Sequence, residues 1–317
     1  MHSNSKYPVE MLSEIESIIG KASSVNIRQT QQQGLCLGIE NQYGSVVISV
    51  FGGHVISYIN KSNNKERLWL SERAVFDGET PIRGGIPICW PWFSSHATQA
   101  AYPSHGYART QLFTLVEVQE VTQNNQVTNT KVTLRPSKVN QYGYSLINMK
   151  LVVTLSEALT VDIITTNNGG KAIALTQALH SYFLVDDINH VKLNGLDTPF
   201  DDKLTSTINN SALSNYRLVQ EVDRIHGFQH AQYSNIQTIH IVNDNRDSQA
   251  SMHSIEQSGH DSTVVWNPWI DKSKSMDDME NDGYKTMLCI EAANTVNAQH
   301  PLILAPHQSH RLSQKIL

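Results

Sequence analysis

No stretch of this chain approaches the roughly 20 consecutive apolar residues that a membrane-spanning helix needs. The opening segment, MHSNSKYPVEMLSEIESIIG, carries acidic residues where a secretory signal would need an unbroken apolar core. The expected location is therefore the cytoplasm. Cysteine is scarce: Cys36, Cys89 and Cys289 lie far apart, each in an apolar run, with no CxxC pair. An odd count so spaced excludes a disulfide framework and reads as buried free thiols in a reducing compartment. Charge is scarce as well, at 17% of residues with a net charge of −5. That excludes a broad nucleic-acid surface and a polybasic membrane patch. An anionic ligand would have to be held by a few local Arg or Lys against a mildly repulsive overall field. Also missing are GxxxxGK[ST], a GxGxxG after a strand, and a GxSxG elbow. There is no fixed-period repeat and no Pro- or Ser-rich linker, so the 317 residues read as one large domain.

What is present is mostly short, β-branched and punctuated. Val9, Leu12, Ile15, Ile18 and Ile19 fall at helical spacing after Pro8, which predicts one short amphipathic helix. After it the period changes. GLCLGIE, GSVVISVFGG, HVISYIN, LFTLVEVQEV, SLINMKLVVTLSE, LTVDIITTN, STVVWNP and KTMLCIEAAN are strand-like runs separated by Gly and Asn. Asn168-Gly169 predicts a hairpin turn, and the polar stretch around residues 200–235 reads as long loops. No helix of ten or more residues alternates with the strands, which disfavours a parallel βαβ sheet. The predicted fold is all-β, a large antiparallel sandwich over residues 26–317, with residues 1–25 as an N-terminal helical extension.

In the predicted strand Lys171–Phe183, alternate side chains face opposite ways. Ile173, Leu175, Gln177, Leu179, Ser181 and Phe183 form a mostly large, apolar face. Ala172, Ala174, Thr176, Ala178, His180 and Tyr182 form a shallow one, with room for a ligand beside an imidazole. On pattern alone, a half-buried, hydrogen-bonded His180 is the blander reading and the stronger one. Glu291 follows the apolar run Met287–Ile290, where a carboxylate is solvated at a strand end, paired, or raised in pKa. Emergence into water is the commoner outcome. PIRGGIPICWPWF and SHGYAR each set an Arg (Arg83, Arg109) close to glycine, which suits bidentate contact with an oxyanion and close backbone approach. The bland alternative is that these Arg cap carboxylates or loop carbonyls. Two such loops tilt toward anion binding. Trp90, Trp92, Trp266 and Trp269, in WPW and WNPW, suit sugar stacking but read more readily as core plugs. The 14 His are scattered, and His307-x-x-His310 has no carboxylate or Cys at ligand spacing, so no metal is expected.

Taken together, PIRGGIPICWPWF, HGYAR, QALHSYF, GLDTPFDDK, VDRIH, VVWNPW and LCIEAAN resemble the glucose-6-phosphate 1-epimerases. These form the hexose-6-phosphate mutarotase branch of the aldose 1-epimerase superfamily. The motifs keep the family's order from about residue 34 to the end of the chain. The resemblance implies a galactose-mutarotase-like β-supersandwich, no cofactor, and a catalytic pair of His180 and Glu291. It carries sugar-phosphate contacts onto Arg83, Arg109 and Asp202, the last chosen over Asp201 by its Asp-Lys pair. His105 is an implied neighbour of the site, and Ser104 stands where relatives often carry a longer Gln. The implied partner is a small hexose 6-phosphate, with no nucleic acid or membrane, and the chain is expected as a monomer or weak dimer.

The expected chemistry is acid–base ring opening, rotation about C1–C2 and reclosure. Glu291 would be the base, and His180, held as an imidazolium by the nearby carboxylate, the acid. A free-aldose mutarotase, a non-catalytic sugar-phosphate binder and a glycosidase are the alternatives. The paired Arg loops, the His–Glu pair and the lack of a second carboxylate argue against each in turn.

Overall fold

The computed structural model describes residues 9–30, 32–139, 141–209, 216–227, 236–244, 251–295 and 302–317. The predicted all-β architecture is what forms. A five-stranded meander runs from Val25–Thr30 through Gly34–Glu40, Gly44–Ser49 and His54–Asn60 to Lys65–Glu66. A nine-stranded sheet carries the long central strands Gln126–Pro136, Ile147–Leu155, Leu159–Asn167 and Ser309–Ile316. An eight-stranded sheet runs in order from Thr207–Asn209 through Phe200–Asp202, Val222–Gly227, Ser262–Asn267, Met287–Asn294 and Gln177–Leu179 to Ile88–Cys89. Tyr182–Leu184 also pairs with Met287–Asn294 in this sheet. Its antiparallel pairing follows from the alternating sequence pattern, which gives each strand one face for the core and one for another environment.

The main core is a continuous layer that includes Leu151, Ile163, Ile255, Leu288, Ile290 and Leu312, all fully buried. Polar ties cross it beneath the candidate site. Gln314 of the nine-stranded sheet donates to the Ile290 carbonyl at 3.0 Å and accepts from the Ser181 hydroxyl at 2.5 Å. Trp90 donates to Thr165, Thr165 to Gln177, and Gln177 to Asn294, each at 3.0 Å. These buried groups are satisfied in series, as buried polar groups need to be. They hold the two sheets in one register.

The predicted helix forms as Val9–Ile19 and docks Met11 and Ile15 into the same core. The three cysteines are free and buried, as expected. No helix among the described residues is long and apolar enough to cross a membrane. Two expectations fail. Asn168-Gly169 does not make a hairpin: Leu159–Asn167 pairs with Ile147–Leu155 and Ser309–Ile316, while Ile173–Leu175 leaves to pair with Leu302–Leu304. The Asn167 side chain ends the strand by donating to the carbonyls of Lys171 and Leu304 and accepting from Gly169 N–H. A tertiary partner thus overrides a local turn signal. The polar stretch is also less loop-like than its composition suggests, since Phe200–Asp202, Thr207–Asn209, Tyr216–Arg217 and Val222–Gly227 are strands. The rest of that stretch, residues 210–215 and 228–235, lies outside the described residues.

Candidate active site

The predicted strand over 171–183 is broken into Ile173–Leu175, Gln177–Leu179 and Tyr182–Leu184, but its alternation survives the breaks. Leu179 pairs with Ala292 and Tyr182 with Cys289, so the register carries His180 opposite Glu291. Directly opposed residues of antiparallel strands share a face. The two side chains meet there, His180 Nε2 lying 3.3 Å from Glu291 Oε1, with side-chain exposures of only 12% and 1%. Glu291 therefore does not emerge into water. It sits inside the strand Met287–Asn294, every residue of which is buried.

Two glycine-bearing loops close on this pair. Segment 85–89 runs beside the His180 strand: His180 N–H donates to the Pro87 carbonyl at 3.1 Å, and Tyr182 N–H to the Gly85 carbonyl at 2.9 Å. Gly85 has φ +61°, and a Cβ there would lie 2.3 Å from the Val55 carbonyl oxygen. The glycines of RGG thus let protein backbone, rather than a ligand, come close, and this packing fixes Arg83 beside Tyr182. Gly106 does the same for HGYAR. It has φ +74°, it bridges Trp90, and a Cβ would lie 2.0 Å from the Trp90 carbonyl oxygen. The two Arg loops are therefore docked on each other through backbone.

Rings line the cleft so formed. Tyr182 stacks on His180 with centroids 5.0 Å apart and planes 10° from parallel, and Trp69 stacks behind Tyr182. Trp266 and His105 present their rings to His180 at 6.1 and 5.8 Å. The expectation that the tryptophans are plugs holds for Trp90, which is fully buried, but Trp266 lines the site. His105 is pinned at φ +63° by Ser94, donating its N–H to the Ser94 carbonyl and accepting from Ser94 N–H at Nδ1. Ser104 is exposed and contributes its carbonyl, which accepts from Arg109 Nη2 at 3.0 Å.

Asp202 is not brought to this cluster. It points to the other side of the sheet, where its Oδ2 accepts from Arg224 Nε at 2.8 Å, and that guanidinium lies over Phe200 and Tyr216. Asp201, the alternative set aside above, shares Glu291's face through the row Asp201–Ile225–Val264–Glu291, and pairs with Lys203 at 3.0 Å. Two carboxylates that motif reading did not single out do bear on the site. Asp223 shares a row with Trp266 and Cys289 and acts on Glu291, and Asp278 holds Arg83. Asp223 lies in the quoted VDRIH motif, and strand alternation would have separated it from Arg224. Asp278 follows a short helix, Trp269–Lys274, that carries no local signal for it.

Burial dominates the electrostatics. It drives the His180 pKa well below its usual value, and the neighbouring His105, Arg109 and Arg83 lower it further. Burial likewise raises the Glu291 carboxyl well above the usual range, helped by Asp223 and opposed by Arg109. Desolvation thus works against the expected imidazolium–carboxylate pair across 3.3 Å and favours the uncharged forms of both groups. His105 is pushed down to about 3 by burial, Arg109 and Arg83. His180 Nδ1, Glu291 Oε2 and Arg109 Nε are each buried with no hydrogen-bond partner among the described residues. Unmet polar atoms on three residues of one cluster mark a place for a polar ligand.

His180, Cys289 and Glu291 offer nitrogen, sulfur and oxygen within 4.8 Å of one another, a set that sequence spacing hid because His180 arrives from another strand. Its chemistry suits a cation poorly. Burial raises both the Cys289 thiol and the Glu291 carboxyl, and a ligand set must be deprotonated to bind, in the field of two guanidiniums. A separate cleft of about 660 Å³ uses Trp69 as a wall together with Leu68, Glu72, Glu280 and Thr286, and none of the residues singled out from the sequence lines it.

Comparison with known proteins agrees with this geometry. Residues 36–317 match the family model described as aldose 1-epimerase. The chain belongs to the aldose 1-epimerase family. It is an isomerase, and its catalytic fold and its family point to the same chemistry at the anomeric carbon. This epimerase is 34% identical over 269 residues to a Salmonella typhimurium protein provisionally named glucose-6-phosphate 1-epimerase, covering 84% of each chain. A solved Salmonella typhimurium structure, provisionally described as a mutarotase, superposes with a TM-score of 0.76 at 27% identity, over 96% of this chain and 98% of that one. A galactose mutarotase-like protein from Clostridium acetobutylicum shares the fold at 14% identity, with a TM-score of 0.68 over 92% and 97% of the two chains.

Proposed function

We propose that this epimerase interconverts the α and β anomers of hexose 6-phosphates, glucose 6-phosphate first among them, with His180 and Glu291 as the acid–base pair. The observation that carries the reading is the pair itself, buried at 3.3 Å under the field of two arginines. A phosphate dianion in a site this dry needs cationic donors beside it, and Arg109 keeps a buried Nε–H to offer one. The provisional names of the relatives support the same substrate class.

The pair holds one proton in total, and mutarotation uses one acid and one base. With Glu291 as base and His180 as acid, the resting proton first crosses from the carboxyl to the imidazole, a tautomer change within the pair. Glu291 then takes the proton of the anomeric hydroxyl while His180 gives one to the ring oxygen. The C1–O5 bond breaks and C1 becomes a carbonyl. The pair is neutral again at that point, which is the state its burial favours, so the site stabilises the ring-opened stage relative to the ion pair that preceded it. Rotation about C1–C2 and return of both protons close the ring on the other face. Arg109 supplies the charge that holds the phosphate, Arg83 hydrogen-bonds the bound sugar phosphate, and Tyr182 and Trp266 bound the ring.

The test is anomer-exchange NMR with glucose 6-phosphate beside free glucose and galactose, each corrected for spontaneous mutarotation. Faster exchange of the phosphorylated sugar is expected. Preference for the free sugars would replace this reading with a free-aldose mutarotase, and exchange of none of the three would leave a sugar-phosphate binder.

A further inference from the structure

His180 meets the rest of the site through two different parts of its ring. Its Nε2 lies 3.3 Å from Glu291 Oε1, while its face lies against Tyr182, with centroids 5.0 Å apart and planes 10° from parallel. Trp69 stacks on Tyr182 in turn, at 5.9 Å and 22°, so three rings form one column that ends at the imidazole.

The column is anchored along its length. Trp69 Nε1 donates to Thr286 Oγ1 at 3.1 Å, and the Trp69 N–H to the Tyr182 carbonyl at 2.9 Å. Arg83 Nη1 donates to the Tyr182 hydroxyl at 2.8 Å, and Met279, Met287 and Cys289 pack around Trp69 and Tyr182. Arg83 thus meets Tyr182 at the hydroxyl, and the far face of the phenol ring is covered by an uncharged indole. The near face is held against His180.

The charged and titratable groups around His180 give little help to a proton on it. Arg83, Arg109 and His105, from the two glycine-bearing loops, each disfavour positive charge there. Burial raises the Glu291 carboxyl and the Cys89 and Cys289 thiols, which come from the strands on either side of Gln177–Leu179. Asp223, two strands from Glu291, raises that carboxyl further. Yet His180 must carry a proton before it can give one to the ring oxygen of the sugar.

We propose that the ring face of Tyr182 is what makes His180 usable as an acid, by stabilising the imidazolium when it forms. The inference rests on the acid–base reading above. An aromatic ring is negative on its face, and a cation within about 6 Å of its centroid is attracted to it, more strongly out of water. That attraction acts on the charged imidazolium and not on the neutral imidazole. Tyr182 is in this respect a positioning residue, acting through His180.

The experiment compares Tyr182→Phe, which keeps the face and loses the Arg83 bond, with Tyr182→Leu and Tyr182→Met, which keep apolar bulk and lose the face. Thermal melting establishes that each variant folds. The nitrogen shifts of the His180 ring are followed by NMR against pH in the sugar-free protein. Anomer exchange is measured against pH on whichever of glucose 6-phosphate, glucose and galactose the wild type exchanges fastest. Tyr182→Phe should keep the proton affinity of His180 within about twofold of wild type. The Leu and Met variants should lower it about three- to thirtyfold, the span of cation–π contacts from exposed to desolvated. A weaker proton affinity needs a lower pH to fill, so the acid limb of kcat should move to lower pH by the same factor. Equal movement in Tyr182→Phe would assign the effect to the hydroxyl and Arg83, and overturn the proposal. Movement to higher pH in the Leu and Met variants would do so as well, by showing that the ring acts through excluding water. Losses confined to KM, with the nitrogen shifts unmoved, would leave Tyr182 as a wall of the sugar site. Exchange of none of the three sugars would overturn the acid–base reading instead, and the nitrogen titration would still decide whether the ring face holds charge on His180.

Discussion

Arg109→Ala is the substitution whose effect follows most directly from the structure. Of the five N–H donors on this guanidinium, the described residues use one, for the Ser104 carbonyl, and leave the Nε–H buried without a partner among them. A bound phosphate would take Nε and a neighbouring Nη together, the planar fork that suits an oxyanion. Hydrogen bonds to charged groups contribute about 1.5–3 kcal/mol each, so two amount to about 3–6 kcal/mol. That corresponds to a fall in kcat/KM for glucose 6-phosphate of about 10²–10⁴. The free sugar never makes these contacts, so its kcat/KM should change by far less. Arg109→Lys keeps the charge but loses the fork and should fall between wild type and Ala. The assay is anomer exchange by NMR at a series of concentrations of both sugars, with thermal melting to establish that the variants fold. Parallel losses on the two sugars would refute the reasoning and make Arg109 a structural cap on its own loop.

Three further outcomes are expected. His180→Ala and Glu291→Gln should each lower anomer exchange by about 10²–10⁴ once the spontaneous rate is subtracted, and rates equal to wild type would remove both from the mechanism. The rate should follow a bell in pH, since the working pair carries one proton; its limbs report the coupled ionisations of the pair, a second proton gained on the acid side and its one proton lost on the alkaline side, and burial, which lowers His180 and raises Glu291, spreads them apart. Because Asp223 holds the Glu291 carboxyl up, Asp223→Asn should move the alkaline limb to lower pH, and movement of the acid limb instead would show that the proton rests on His180. Gly106→Ala should cost about 2 kcal/mol or more of stability, read as a lower Tm, because it sets a Cβ 2.0 Å from a backbone oxygen at φ +74°; an unchanged Tm would mean that the loop docks in another way.

The sequence by itself determined the fold class, the helix at the start, the free buried thiols and the shallow face that bears His180 and Tyr182. All of these rest on periodicity, composition and local spacing, which a single chain displays without a partner. Its motifs also identified Glu291, Arg83 and Arg109. What the sequence could not decide was which element pairs with which. Asn168-Gly169 has the chemistry of a hairpin, yet Ile173–Leu175 is claimed by Leu302–Leu304, a strand far along the chain. Glu291 looked like a strand end from its flanking residues and proved to be a strand interior, because Ser262–Asn267 and the His180 segment pair on either side of it. Asp201 and Asp202 are adjacent and chemically identical; alternation sends them to opposite faces, and only the register across the sheet decides which one shares Glu291's face. The electrostatics of the His180–Glu291 pair were likewise beyond the sequence. Proximity of a carboxylate suggested an imidazolium, but burial is a property of the assembled sheets, and desolvation works against it, lowering His180 and raising Glu291. The Arg83–Asp278 ion pair has the same origin, since Asp278 reaches Arg83 only across the folded molecule.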